Sequence, residues 1–213
     1  MEGIYLMSIS LAIDTATSRT GVAIINGQEI IWQGSHDGAT AHGGALSTLV
    51  SQALSDHPKI DQVIVGMGPG PFTGLRVGIS FARSFALARQ ISIIGICSLD
   101  AIAPLVIQGN TLIKDGEDFI VATDARRKEM YWAKYSKGIR VGEPGVNLPS
   151  EIVSLGLPIF GEGAIKYGLS KNIDTQYPDL LSLVALSRNP RAHVSEPMYL
   201  RRPDAQPTSE RTS

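Results

Sequence analysis

The chain has one cysteine, Cys97, so no intrachain disulfide can form. That cysteine sits in the apolar run 91–97, which suits a buried structural thiol better than a reactive one. The four histidines, His36, His42, His57 and His193, follow no H-E-x-x-H pattern, and one cysteine gives no zinc-cluster spacing. A dedicated metal site is therefore not expected. No stretch of about 20 apolar residues exists, which excludes a single membrane-spanning helix. The first residues also lack the basic segment, long apolar core and cleavage site of a signal peptide. A cytoplasmic location away from membranes is expected. Charge of one sign is lacking too: 19 Lys and Arg face 20 Asp and Glu, so no general footprint for nucleic acid is present, although a local basic strip is not excluded. There is no solenoid-type repeat.

What remains is an ordinary globular composition, 43% hydrophobic and 18% charged over 213 residues. That length fits one large domain or two small lobes. Residues 8–14 alternate apolar positions, turn residues follow, and 20–25 read as a second strand. Asn26-Gly27 is a hairpin signal that returns 28–32 as a third, antiparallel strand. Leu46, Leu49, Val50, Ala53 and Leu54 recur at helical spacing and predict an amphipathic helix ending before Pro58. Strand 63–65, the Gly/Pro stretch 66–71, a helix over 72–88 and strand 91–96 compose a βαβ unit with parallel strands.

A helix over 98–106 closes a first lobe, residues 1–107, and the polar segment 108–118 leads into a smaller lobe, 108–202. There, 119–123 and 130–135 read as strands, 144–158 as turn-rich, 158–161 as a short strand and 180–186 as a helix. The C-terminal part of this lobe has the option of packing back on the first. Residues 203–213 have no apolar anchor and are expected to be disordered.

The segment GMGPGPFTGLRVG, residues 66–78, places a glycine-rich loop between a strand and a helix N-terminus, a context that suits anion binding. It matches neither the P-loop nor the G-x-G-x-x-G pattern, and Pro69 and Pro71 lack N–H donors. A structural turn or contact loop is the competing reading. Asp14 and Thr15 end the first strand at a turn; they either cap it through side-chain bonds or meet a phosphate, with Gly68, Gly70, Thr73 and Gly74 as the other candidate contacts. The following helix looks apolar nearly all round, which predicts cover on both sides. Gly74 and Gly78 within it each cost about 1 kcal/mol relative to Ala, so close backbone packing must offset them. That helix is either pure core or also part of a subunit interface, with the Leu46 helix beside it. Arg126, Arg127 and Lys128 form the one run of three basic residues; solvated turn and phosphate contact are both open.

Several segments together resemble the TsaB/YeaZ family: LAIDTATSRTGVAI from Leu11, GPGPFTGLRVGISFARSFALA from Gly68, SLDAIA from Ser98, DARRKEMYWAKY from Asp124 and EPMYLR from Glu196. The resemblance implies an α/β, actin-like and RNase H-like (ASKHA) fold of two lobes, each a mixed sheet with helices. It implies a subunit with no catalytic residues and no cofactor of its own. Its direct partner would be the ATP- and metal-dependent catalytic subunit TsaD, joined by TsaE, in a complex that transfers a threonylcarbamoyl group to tRNA. A homodimer is implied when the partner is absent. The partner surface implied on the two first-lobe helices takes in His42, Leu46, Leu49, Val50, Phe72, Leu75, Arg76 and Ile79. The catalytic relative carries an H-x-x-x-H metal motif on the first of these helices; here His42 is followed by Leu46, so a ligand is missing. The competing expectation from another class is a stand-alone ATP-dependent phosphotransferase using Asp14 and the Gly68 loop.

Overall fold

The computed structural model describes residues 8–38, 40–109, 113, 116–170 and 176–201. The tail expected from 203 and residues 110–112 and 114–115 of the 108–118 segment lie outside them. A three-strand meander opens the chain: β1 (Ile9–Asp14), β2 (Arg19–Asn26) and β3 (Glu29–Asp37). Gly27 supplies the positive φ of 62° that the tight Asn-Gly turn requires. β3 runs five residues past the expected 28–32, through Gln33, Gly34, Ser35 and His36 to Asp37. It is an edge strand and mostly exposed, so no apolar alternation marks that half in the sequence.

β4 (Gln62–Gly66), α2 (Phe72–Arg89) and β5 (Ser92–Ile96) complete the first sheet, in the order β3-β2-β1-β4-β5. β4 lies parallel to both β1 and β5, as the βαβ reading requires. α1 (His42–Asp56) and α2 cover one face of this sheet, and α6 (Leu180–Leu186) from the far end of the chain covers the other. With both faces covered, β1 and β4 are nearly continuous apolar runs rather than alternating ones.

The second sheet, ordered β8-β7-β6-β9, repeats the plan: β6 (Phe119–Asp124), β7 (Met130–Ser136) and β8 (Ile139–Asn147) form a meander, and β9 (Ile159–Phe160) lies parallel to β6. The turn-rich reading of 144–158 is corrected here, because β8 runs to Asn147 and α4 (Pro149–Val153) follows. Pro144 is tolerated because β8 is an edge strand. α5 (Glu162–Lys166), which no sequence signal announced, starts directly after β9.

The helix expected over 98–106 begins only at Ala103, as α3 (Ala103–Gly109), after overlapping turns across 97–102. Cys97, Leu99, Ile102 and Val106 pack against Phe119, Val121, Tyr135 and Phe160, so this segment belongs by packing to the second sheet. Asp100 fixes the join by accepting hydrogen bonds from Tyr135 Oη at 2.7 Å and Arg140 Nε at 2.9 Å. The C-terminal segment meets the first sheet: Val194 N–H donates to Gly95 O and Met198 N–H to Met67 O, each at 2.8 Å. No helix among the described residues is long and apolar enough to cross a membrane.

Candidate functional site

The two sheets share a topology, so Asp14 and Asp124 hold equivalent last positions on their central strands. Both carboxylates accept a bond from the backbone N–H two residues on, Ala16 at 2.9 Å and Arg126 at 3.1 Å. Their further partners differ. Asp124 is neutralised by Lys166 Nζ at 2.7 Å, whereas Asp14 receives the Ser98 hydroxyl at 2.5 Å. Burial without a cation pushes the Asp14 carboxyl up to about 6, with the Ser98 and Ala16 bonds pulling partly the other way.

The structure brings the expected phosphate-contact residues together, and its own chain fills the space between them. Thr15 Oγ1 donates to Gly74 O at 2.8 Å. A Cβ on Gly74 would stand 2.7 Å from Thr15 O; on Gly70 it would collide with the Ala16 backbone, and on Gly78 with Thr15 Oγ1. The glycines are required because α2 and its loop press directly on the β1–β2 turn. Gly68 is held at both ends by Ser98, whose N–H donates to Gly68 O at 2.7 Å while Gly68 N–H points to Ser98 Oγ at 3.3 Å. Thr73 alone of the six candidates is exposed. As built, the glycines of the loop are packed against the β1–β2 turn and Gly68 N–H is engaged by Ser98, which leaves no hollow for a phosphate between them. Ser98 was missed as a member of this group. Its position just past the end of β5, level with Asp14 at the end of β1, was the available signal.

The expected partner-surface residues divide sharply. His42, Leu46, Leu49, Val50, Leu75 and Ile79 are buried within the lobe, Leu75 and Leu46 at 0% and 1% exposure, so they face the chain's own sheet and cannot reach a partner. Phe72 is half-buried and Arg76 is exposed. Nor is α2 covered on both sides: Thr73, Arg76, Ser80, Arg83, Ser84 and Leu87 face out, Leu87 at 81% exposure. Arg76, Ser80, Arg83 and Ser84 occupy one face among the apolar residues of 72–88. His42 Nδ1 lies 2.8 Å from Thr20 Oγ1, and burial, then the positive charges of Arg126 and His36, hold its imidazole below the usual pKa. No group of three His, Cys, Asp or Glu placed to hold a metal ion exists among the described residues.

Glu162, at the start of α5, joins the lobes by accepting a 3.2 Å bond from Ser18 N–H in the β1–β2 turn. Burial raises its pKa, the Ser18 bonds oppose this, and the nearby Asp124 charge adds to the rise. Arg201 closes the opposite side, donating to Ala125 O at 2.8 Å and pairing with Glu129. Cys97 is fully buried, and burial pushes its thiol up to about 12, which makes it inert.

The family model described as "TsaD: tRNA N6-adenosine threonylcarbamoyltransferase" matches residues 37–162. A Mycobacterium tuberculosis protein of unassigned function is 38% identical over 213 residues, covering 94% of this chain and 95% of that protein. A Mycobacterium leprae relative is 39% identical, and the chain spans only 57% of its length. The Escherichia coli tRNA threonylcarbamoyladenosine biosynthesis protein TsaB is 33% identical over 142 residues, which is 62% of this chain and 58% of TsaB. The chain belongs to the TsaB/YeaZ family. The same TsaB/YeaZ fold appears in a solved structure of YeaZ from Pseudomonas aeruginosa, at TM-score 0.64 and 23% identity, covering 85% of this chain and 91% of that one. A second solved structure, described as similar to peptidase YEAZ from Pseudomonas aeruginosa, reaches TM-score 0.70 at 24% identity, covering 92% and 100%. The actin-like, two-lobed architecture expected of a TsaB/YeaZ member is thus the one observed.

Proposed function

We propose that this chain takes part in making threonylcarbamoyladenosine in tRNA, as a non-catalytic subunit that binds and activates a TsaD-type catalytic subunit. TsaE completes the assembly, and ATP and metal are used by those partners. The observation that carries the reading is Leu46. At the position where the catalytic relative needs its second metal-binding histidine, this chain has a leucine at 1% exposure, part of the packing between α1 and the first sheet. A histidine could not be restored there without opening the core.

The close packing of the glycine loop against the β1–β2 turn supports the absence of a nucleotide role. The surface for the partner is the outer side of α1 and α2, not their inner stripe. α1 presents Gly43, Gly44, Ser47, Thr48, Ser51 and Gln52, with no charged residue until Asp56, so another helix can approach closely. α2 adds Arg76, Arg83 and the exposed Leu87. In the absence of the partner, the same face would pair two copies of this chain in the cytoplasm.

The test is the mass in solution of the chain mixed with TsaD. A heterodimer at micromolar concentration is expected, and its absence overturns the reading. Omitting the chain from a reconstituted tRNA modification assay should abolish product formation.

A further inference from the structure

Residues 126, 127 and 128 have φ of 62°, 50° and 63°. Three successive side-chain-bearing residues in the left-handed region are uncommon, because each brings its Cβ toward a carbonyl. The turn is pinned from both ends, by Ala125 N–H to Glu129 O at 3.0 Å and Glu129 N–H to Arg126 O at 2.9 Å. A loop of glycine or asparagine would close the same turn without strain. This chain instead places Arg126, Arg127 and Lys128 there, all exposed. The conformation gathers three cations on one short exposed segment, with Arg126 turned back to Asp124 at 3.5 Å.

Their surroundings extend the positive charge. Lys166 and Arg201 border the turn, and the carboxylates beneath, Asp124 and Glu129, are already engaged by Lys166, Arg126 and Arg201. Lys128 has no ion pair among the described residues. Two residues before Arg201, at most about 7 Å of chain, the Tyr199 ring packs tilted against Phe72, with centroids 4.9 Å apart and planes at 48°. Arg76, on the outer side of α2, lies over the Phe72 ring, 5.2 Å from its centroid. A basic strip therefore runs from the turn to an exposed aromatic beside α2.

We propose that this strip, centred on Arg126, Arg127 and Lys128 and continued by Arg201 and Tyr199, takes the sugar–phosphate backbone of RNA. The proposal rests on the reading that the chain works in a complex acting on tRNA. A protein partner is disfavoured at the turn because protein interfaces need an apolar centre and are depleted in lysine, and residues 125–129 expose no large apolar side chain. Cations around an aromatic suit a polyanion with stackable bases. The overall charge of -1 makes the strip local and predicts modest, strongly salt-dependent affinity.

Two variants of the full chain test this, Lys128→Glu and Arg127→Gly, with unmodified tRNA transcript as probe. Each is measured alone and in the complex with TsaD, between 50 and 200 mM salt. Charge reversal at Lys128 should weaken binding by about tenfold at low salt and lower the slope of log affinity against log salt by about one. Arg127→Gly should also weaken binding while raising thermal stability, because glycine relieves the positive φ; a purely structural turn would show the stability gain with no change in RNA affinity. Unchanged affinity and slope in both variants, with the fold intact, overturn the proposal. So does loss of TsaD pairing in either variant, which would make the turn a protein contact. If the wild-type chain never pairs with TsaD but binds tRNA through Lys128, the subunit reading fails and the strip stands.

Discussion

Ser98 donates a 2.5 Å hydrogen bond to Asp14, tying the end of β1 to the turn that follows β5 across the buried middle of the first lobe. The Asp14 carboxyl is buried, with no cation beside it.

Asp14 makes stability depend on pH in a defined direction. Its pKa is raised from 3.8 to about 6, so between those values the folded chain holds a proton that the unfolded chain has lost. Stability from this group is full below about pH 4 and falls as pH rises to 6. Above that, the folded chain carries a buried charge costing up to about 3 kcal/mol. Asp14→Asn should therefore raise the melting temperature at pH 7.5 and leave it nearly unchanged at pH 4. Equal effects at both values would show that the carboxyl is ionised throughout.

Isothermal titration of the isolated chain with Mg-ATP should give no saturable heat, because the Gly68 loop already bonds within the chain through Ser98 and Thr15. Binding that Asp14→Asn abolishes would establish the phosphotransferase alternative instead.

The two sides of α2 should respond oppositely to mutation. Leu75→Ala leaves a cavity in the lobe core and is expected to cost about 2–5 kcal/mol in denaturant unfolding. Arg76→Glu, on the exposed side, should stay within about 0.5 kcal/mol of the wild type and yet lose the heterodimer in sedimentation. If Leu75→Ala weakens pairing without destabilising the monomer, the inner face is the interface after all.

Gly78 and Thr15 should be coupled. Gly78→Ala gains about 1 kcal/mol of helix propensity, but its methyl meets Thr15 Oγ1 and forces the turn outward, at a cost of about 1–3 kcal/mol. Adding Thr15→Ala removes the obstruction, so the double variant should be more stable than the two single effects predict, by more than about 0.5 kcal/mol. Additive unfolding free energies would mean that the turn yields freely.

Legibility differed between elements for physical reasons. The Asn26-Gly27 hairpin, the Leu46 stripe, β4, β6, β7 and α6 were plain because local chemistry or a buried face leaves a periodic trace. β8 and the second half of β3 were not, because edge strands exposed to water have no face to bury. α5, five residues long, is too short to show a period. Within the site, Asp14, Thr15 and the glycines were identified together, whereas Ser98 and Glu162 enter only through contacts 84 and 144 positions apart in sequence.

The sequence by itself determined the family, the two-lobed α/β plan, the broken metal motif at Leu46 and the need for close packing at Gly74 and Gly78. Tertiary structure alone decided what meets those residues. An apolar stripe records that a face leaves water, and burial has no direction that names the covering surface. Leu46, Leu49, Val50, Leu75 and Ile79 read equally well as interface or core until the first sheet was seen beneath them. Likewise the glycines of α2 announced a close approach, and folding showed that the approaching group is the chain's own Thr15.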